Sequence, residues 1–362
     1  MQTLNNKTPQ RSTGIDIARA FAILGMVIVN YKMVMNAETG NILFIYFAGA
    51  LEGRAAALFV ILAGIGITSY KKNHPKALLS HRRKTLIKRG LLLILIGLIH
   101  CLIWEADILH LYGFYFLIAA TIFTVNDKTL LILSISISFI FVILMLFFNY
   151  AEHWHWPTLE YENFWSLEAM VWRIFFNGFH PVFPWVAFLV LGMWLGRQDL
   201  GNKILKRKLF IFSLLTFIVI EAIFYHLGAI LIDFSGLTLN PEEIGWLLTT
   251  SAMPPLPQYM ISASCSAVAF LMVCLHFSER FPLSCINRYL QQTGRLSLTF
   301  YIAHIIIGMG ILECMGRLNN QTIEFALLSA LIFFMASMVF SVVWLKYFTA
   351  GPLEWLFRKL TR

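Results

Sequence analysis

The chain has 362 residues, of which 59% are hydrophobic and 13% charged, with a formal net charge of +9 and a mean hydropathy of +0.72. A soluble domain carries about 25% charged residues, so this composition excludes an ordinary soluble enzyme and points to an all-α, polytopic bundle of membrane-crossing helices forming one domain over residues 1–362. Five scattered cysteines, Cys101, Cys265, Cys274, Cys285 and Cys314, form no CxxC pair and no ligand spacing. They are expected to be packing residues, with no disulfide framework and no metal site.

In chain order, ten apolar stretches approach the length needed to cross about 30 Å of hydrocarbon: 14–34, 55–70, 86–104, 107–125, 129–149, 180–196, 209–230, 258–278, 295–315 and 323–348. The first has full length and no small-residue cleavage site, so it reads as a retained helix. Segment 42–54 is apolar but broken by Gly and Glu, and reads as a short re-entrant or interfacial piece. The connector 71–89, "KKNHPKALLSHRRKTLIKR", holds eight Lys/Arg, and 197–208, "RQDLGNKILKRK", holds five. Connectors 150–172 and 231–257 hold none, but carry several Glu and Asp. The positive-inside rule then puts the basic connectors and both termini on the cytoplasmic side of the plasma (inner) membrane. The +9 charge is thereby assigned to topology and contact with anionic lipids, and no nucleic-acid footprint is expected. The Trp- and Glu-rich segment 150–181 and the segment 231–257, with "PEE" and "MPPLP", face outward as lid-like loops.

Charged residues inside spans are costly and are site candidates by default. "GIDIARAF" places Asp16 and Arg19 on one helical face near the inner end of the first span, as an interfacial ion pair or a basic anchor for an anionic cofactor. Asn30 lies at the outer end of the same helix. "LEGRAAALF" offers Glu52 and Arg54, where Arg54 pairs with Glu52 or meets an anionic group. Arg295, at the start of the ninth span, is a further candidate cofactor anchor. The stretch "IHCLIWEADILHLYG" is expected at the outer mouth of the bundle, bringing His100, Glu105, Asp107, His110 and Tyr112 together. A carboxylate three residues before a histidine shares its helical face, orients the imidazole and raises its basicity, as acid–base work requires. Glu105 is equally a water-facing turn residue. His180 at the entrance of the sixth span, Glu221 mid-span and His304 near the middle of the ninth span suggest an aqueous substrate path on the outer half. His153 and His155 in "HWHW" lack a third ligand at a convincing spacing.

The opening "GIDIARAFAILGMVIVNY" resembles the first helix of the transmembrane acyltransferase superfamily, whose members begin with Asp-x-x-Arg, and its "VNY" ending is similar to the heparan-α-glucosaminide N-acetyltransferases. The segments "GLIHCLIWEADILHLYG" and "GPLEWLFRKLTR" look like the YeiB-like membrane proteins. The resemblance implies transfer of an acyl group, usually acetyl, from cytoplasmic acyl-CoA to an extracytoplasmic hydroxyl or amine, with a glycan as the expected acceptor. Asp16 and Arg19 match the family's first-helix pair, and Asn30 its polar residue at the outer end. The chain departs from the pattern in one respect: the family carries a histidine at or just after the end of this helix, and here none lies between Asn30 and Glu52. The catalytic base must come from elsewhere, and Asp107 with His110, or His180, are the candidates. No Ser or Cys nucleophile stands out, so direct transfer is favoured over an acyl-enzyme. The alternative reading is a small-solute transporter or exporter that uses the same buried residues as a substrate or proton path. The oligomeric state is left open, a homodimer included.

Overall fold

The computed structural model describes residues 12–68, 76–233 and 241–361; residues 71–75 of the basic connector and 234–240 of the 231–257 segment lie outside them. α1 (Thr13–Val34) runs through the middle of the bundle. Its Ala18, Ala20, Ala22 and Gly25 are buried and let neighbouring backbones approach closely, the usual basis of helix association where lipid removes the hydrophobic drive. Around it pack α3 (Arg54–Thr68), α11 (Pro257–Arg280), α12 (Cys285–Arg295) and α15 (Ile323–Tyr347). α2 (Ile42–Leu51) precedes α3 across a turn at Gly53, whose φ is +68°. Instead of a separate re-entrant piece, α2 and α3 form one 27-residue apolar span.

α4 (Lys76–His100) and α5 (Leu109–Ile122) make an antiparallel hairpin, followed by α6 (Asp127–Phe147). A small cap then forms from the ribbon β1 (Trp154–His155) and β2 (Glu160–Tyr161), α7 (Leu167–Trp172) and a π-helical turn over Arg173–Asn177. α8 (Val182–Leu195) packs on α3, and α9 (Lys203–Asp233) on α11, with the short α10 (Pro241–Leu248) against α9. α13 (Ser297–Ala303), a second π-helical turn at His304–Met309 and α14 (Gly310–Cys314) make one broken span. α16 (Pro352–Thr361) closes the chain at the end of the bundle that carries the basic connectors. Its Glu354 accepts hydrogen bonds from the free amides of Leu298 and Thr299 at 2.8 and 3.2 Å, so the C-terminal motif caps the helix that leads to His304.

The all-α membrane bundle stands, and of the ten expected spans α4 and α5 are the two that are not long and apolar enough on their own. Among the described residues seven helices are long and apolar enough to cross a membrane, or eight with the bent pair Leu167–Asn177 and Val182–Leu195. α4 fails because Arg82, Arg83, Lys84, Lys88 and Arg89 occupy its first half, and α5 because it has 14 residues. That shortness positions the site. Arg197 donates to the carbonyl oxygens of Phe123 and Val125 at the end of α5, at 2.8 and 2.5 Å. From there α5 rises about 21 Å, at 1.5 Å per residue, less than the thickness of the hydrocarbon core. The turn 101–108 lies at the end of the bundle opposite the basic connectors, with Leu102, Ile103 and Glu105 exposed, Ala106 and Ile108 lining the cavity there, and Asp107 buried beneath them. The peripheral α6, α9 and α15 present rows of apolar side chains outward, among them Ile135, Phe139, Leu215, Ile218 and Val339, as lipid-facing helices do.

Gly64 on α3 and Gly192 on α8 face each other's helix so closely that a Cβ on either would overlap the backbone of Leu189 or Ile61. Gly192→Ala is expected to cost about 1–3 kcal/mol by forcing these helices apart, measurable as a lowered melting midpoint in detergent.

Candidate functional site

His100 and Cys101 end α4, and Asp107 immediately precedes α5. Gly97 brings them together: a Cβ there would overlap the amide of His110, so only glycine lets the start of α5 lie against α4. Asp107 is 1% exposed and accepts five hydrogen bonds. Its Oδ2 takes the backbone amides of Leu109 (2.8 Å) and His110 (3.2 Å) and His110 Nδ1 (3.2 Å). Its Oδ1 takes His100 Nδ1 (2.9 Å) and the Tyr301 hydroxyl (3.1 Å). A buried carboxylate needs such compensation, and each imidazole is held in the tautomer that presents Nδ1–H to it. The Nε2 atoms of both rings are then buried without a hydrogen-bond partner among the described residues.

The Cys101 thiol lies 3.3 Å from His110 Nδ1, and Cys101, Asp107 and His110 are close enough together to bracket a metal ion. Asp107, however, has both oxygens committed, one of them to the start of α5, so a chelate would have to uncap that helix. The cluster is better described as a hydrogen-bonded one.

A cavity of about 370 Å³ opens at the end of the bundle opposite the basic connectors. Asn30, Lys32, Glu52, His180 and Tyr301 reach it. Tyr301 thereby links the cavity to Asp107. His180 stacks edge-on against Trp185, ring centroids 4.5 Å apart, and its Nδ1 is buried without a partner among the described residues. Segments 150–181 and 231–257 both contribute to the wall, Trp156 and Leu159 from the cap and Ser251, Ala252 and Met253 from beyond α10. Trp156 and Trp246 meet above it, centroids 4.5 Å apart.

His304, on the π-helical turn, lies against α1: its Nε2 is 2.9 Å from Asn30 Nδ2 and its Nδ1 3.3 Å from the Phe300 carbonyl oxygen. With Nδ1 donating to the carbonyl, Nε2 accepts from the Asn30 amide. The histidine missing from the first connector is thus matched, at Asn30, by one from 274 positions later.

A second cavity, of about 590 Å³, lies at the basic end. Arg19, His81, Arg82 and Arg89 line it with Thr85 and Phe116. Arg19 also donates to Asp16 at 2.6 Å, and Arg89 reaches Thr361 of α16. Such a cationic chamber suits a ligand with several phosphates.

Other expected site residues sit elsewhere. Arg54 neither pairs with Glu52 nor approaches the basic cavity. Its guanidinium donates to Glu221 (2.6 Å) and Ser262 (3.2 Å), and Glu221 also accepts from Thr250 (2.9 Å). A charge at membrane depth takes the partner that neutralises it best, and this one ties α9 to α3 and α11. Glu52 pairs instead with Lys32 at 2.9 Å. Arg295 donates to the Thr349 carbonyl at 2.9 Å and does not line the basic cavity. Glu105 is exposed in the turn and makes no hydrogen bond to the cluster. Sequence reasoning missed Tyr301, Arg82 and Arg89 as site residues: a tyrosine in an apolar run and cations in a basic connector carry no local signal. It also missed Arg173, which is buried over the Phe164 ring at 3.5 Å.

The order of these features along the chain has parallels in known proteins. Residues 192–362 match a model described as a protein of unknown function, DUF418. The chain is 24% identical over 385 residues to the uncharacterized protein YeiB of Escherichia coli (strain K12), covering 97% of this chain and 96% of that one. It is 23% identical over 382 residues to an uncharacterized 39.9 kDa protein in the amylase 3' region of Bacillus acidopullulyticus, covering 97% and 94%. No solved structure matches. Residues 11–227, which hold His100, Asp107, His110, Asn30, His180 and the basic cavity but not Tyr301, match the catalytic model of heparan-alpha-glucosaminide N-acetyltransferase, which suggests a membrane acetyltransferase-like function. The chain belongs to this YeiB-like, heparan-alpha-glucosaminide N-acetyltransferase-like family of membrane proteins.

Proposed function

We propose that the protein is an acyl-CoA-dependent membrane acyltransferase. In this reading the basic end faces the cytoplasm, its cavity takes the donor, and the opposite cavity takes a hydroxyl or amine acceptor on a sugar. The observation that carries it is the pair of chambers at opposite ends of α1 and α3, one lined by Arg19, Arg82 and Arg89, the other by His180, Asn30 and Tyr301. Guanidinium groups hold phosphates by charge-assisted hydrogen bonds. His180 is the histidine that lines the acceptor chamber, and it accepts the acceptor's proton as the nucleophile attacks the thioester carbonyl. The Asp107 carboxylate nearby offsets the positive charge that His180 then acquires, while Asn30 and Tyr301 orient the acceptor. The new C–O or C–N bond forms, the C–S bond breaks, and the leaving thiolate takes up a proton, so acyl-CoA and acceptor give acylated acceptor and free CoA.

The test is release of CoA thiol from acetyl-CoA by the purified protein, with glucosamine as a first acceptor. His180→Gln is expected to lower turnover about 100-fold or more with CoA binding retained. Absence of CoA binding in folded wild-type protein, together with proton-coupled solute uptake by vesicles containing it, would overturn the proposal in favour of a transporter.

A further inference from the structure

The two chambers are separated by one layer of side chains, and the helical repeat shows which. On α5 and the turn before it, Ile108 lines the distal cavity and Phe116 the basic one; Tyr112 falls midway at i+4, on the same face. On α3, Ala56 lines the first and Ala63 the second, with Phe59 between them on that face. Seven residues of α3 amount to about 10 Å at 1.5 Å per residue, so the partition is thin. The Phe59 and Tyr112 rings meet across it, centroids 5.6 Å apart. The Tyr112 ring also meets that of Tyr115, centroids 5.6 Å apart.

Tyr112 is 4% exposed, and its hydroxyl has no hydrogen-bond partner among the described residues. A buried, unsatisfied hydroxyl costs folding free energy, and phenylalanine would fill the same space without that cost. Tyr301 shows the contrast, since its hydroxyl both accepts from the Ile108 amide and donates to Asp107. Among the described residues the Tyr150 and Tyr259 hydroxyls are also without a partner; Tyr112 differs in its place between the two chambers, where a ligand reaching from one to the other would meet its hydroxyl.

Resting on the acyltransferase reading, we propose that Tyr112 is a catalytic residue whose hydroxyl donates a hydrogen bond to the thioester carbonyl oxygen where the two chambers meet. As the acceptor adds to the carbonyl carbon, negative charge grows on that oxygen, and a donor fixed in a water-poor site stabilises it. Tyr112 keeps its proton throughout; the acceptor's proton goes to His180 and the C–S electron pair leaves with the thiolate.

The experiment compares wild type with Tyr112→Phe, measuring CoA release from acetyl-CoA with glucosamine, equilibrium binding of CoA, and the melting midpoint in one detergent. The expected result is a fall in kcat of about 100- to 1,000-fold, CoA affinity unchanged, and a midpoint unchanged or raised because an unsatisfied hydroxyl is gone. Retention of wild-type kcat overturns the proposal. So does a joint fall in kcat, CoA affinity and midpoint, which marks a packing residue. Wild-type protein that binds and releases no CoA overturns the acyltransferase reading and this proposal with it, whereas turnover that survives in Tyr112→Phe removes this proposal alone.

Discussion

Replacing Asp107 with asparagine is expected to lower turnover by about 100-fold or more and to cost roughly 2–3 kcal/mol of stability. The carboxylate accepts from five donors, with its two oxygens shared between the start of α5, two imidazoles and the Tyr301 hydroxyl. An asparagine can keep the backbone amides, since it caps helices well. Its NH₂ must then turn toward His100 Nδ1 and Tyr301, setting donor against donor. Relief requires His100 to change tautomer or Tyr301 to rotate away, and the second change reshapes the wall of the distal cavity. The removed negative charge also no longer offsets the proton that His180 acquires. Thiol release and a thermal melt on the same preparation separate the two effects. A variant that melts like wild type and turns over normally would remove Asp107 from both roles.

Arg89→Gln is expected to weaken CoA binding by about 10-fold or more. A hydrogen bond to a charged group is worth about 1.5–3 kcal/mol, and about 1.4 kcal/mol corresponds to tenfold in affinity. Arg89 lines the basic cavity beside Arg19 and Arg82; its nearby charge is another cation, Arg358 of α16. Two like charges held together suit an anion between them, so removing one should also reduce the salt dependence of binding. Titration calorimetry at low and high ionic strength reads both effects. Unchanged affinity would exclude this chamber as the phosphate site.

The sequence made the membrane class legible because apolar runs and Lys/Arg asymmetry are local, additive signals. Asp107 with His110 was legible as a pair three residues apart, though the reason differs from the one expected: Asp107 precedes α5 and caps its first amides, which brings the His110 ring to the carboxylate. His100 was close in sequence, but its bond to Asp107 needs the turn to fold back and Gly97 to admit the start of α5. Tyr301, 194 positions from Asp107, had no local signal at all. The sequence read α4 and α5 as two of ten spans; taken singly one is too charged and the other too short, and their pairing as a hairpin is a property of the tertiary structure.

By itself, then, the sequence determined an all-α membrane bundle, the segregation of its positive charge, the first-helix pair Asp16 and Arg19, and the departure at the missing histidine. The tertiary structure decided which residues meet. It brought His304 to Asn30, gave Arg54 to Glu221 and not to Glu52, and placed Tyr112 between two chambers. The reason is physical: helical periodicity assigns each side chain to a face, but which faces meet depends on where small residues let backbones approach and where a buried charge finds its partner. Those are properties of pairs of helices far apart in the chain, and no single stretch of it contains them.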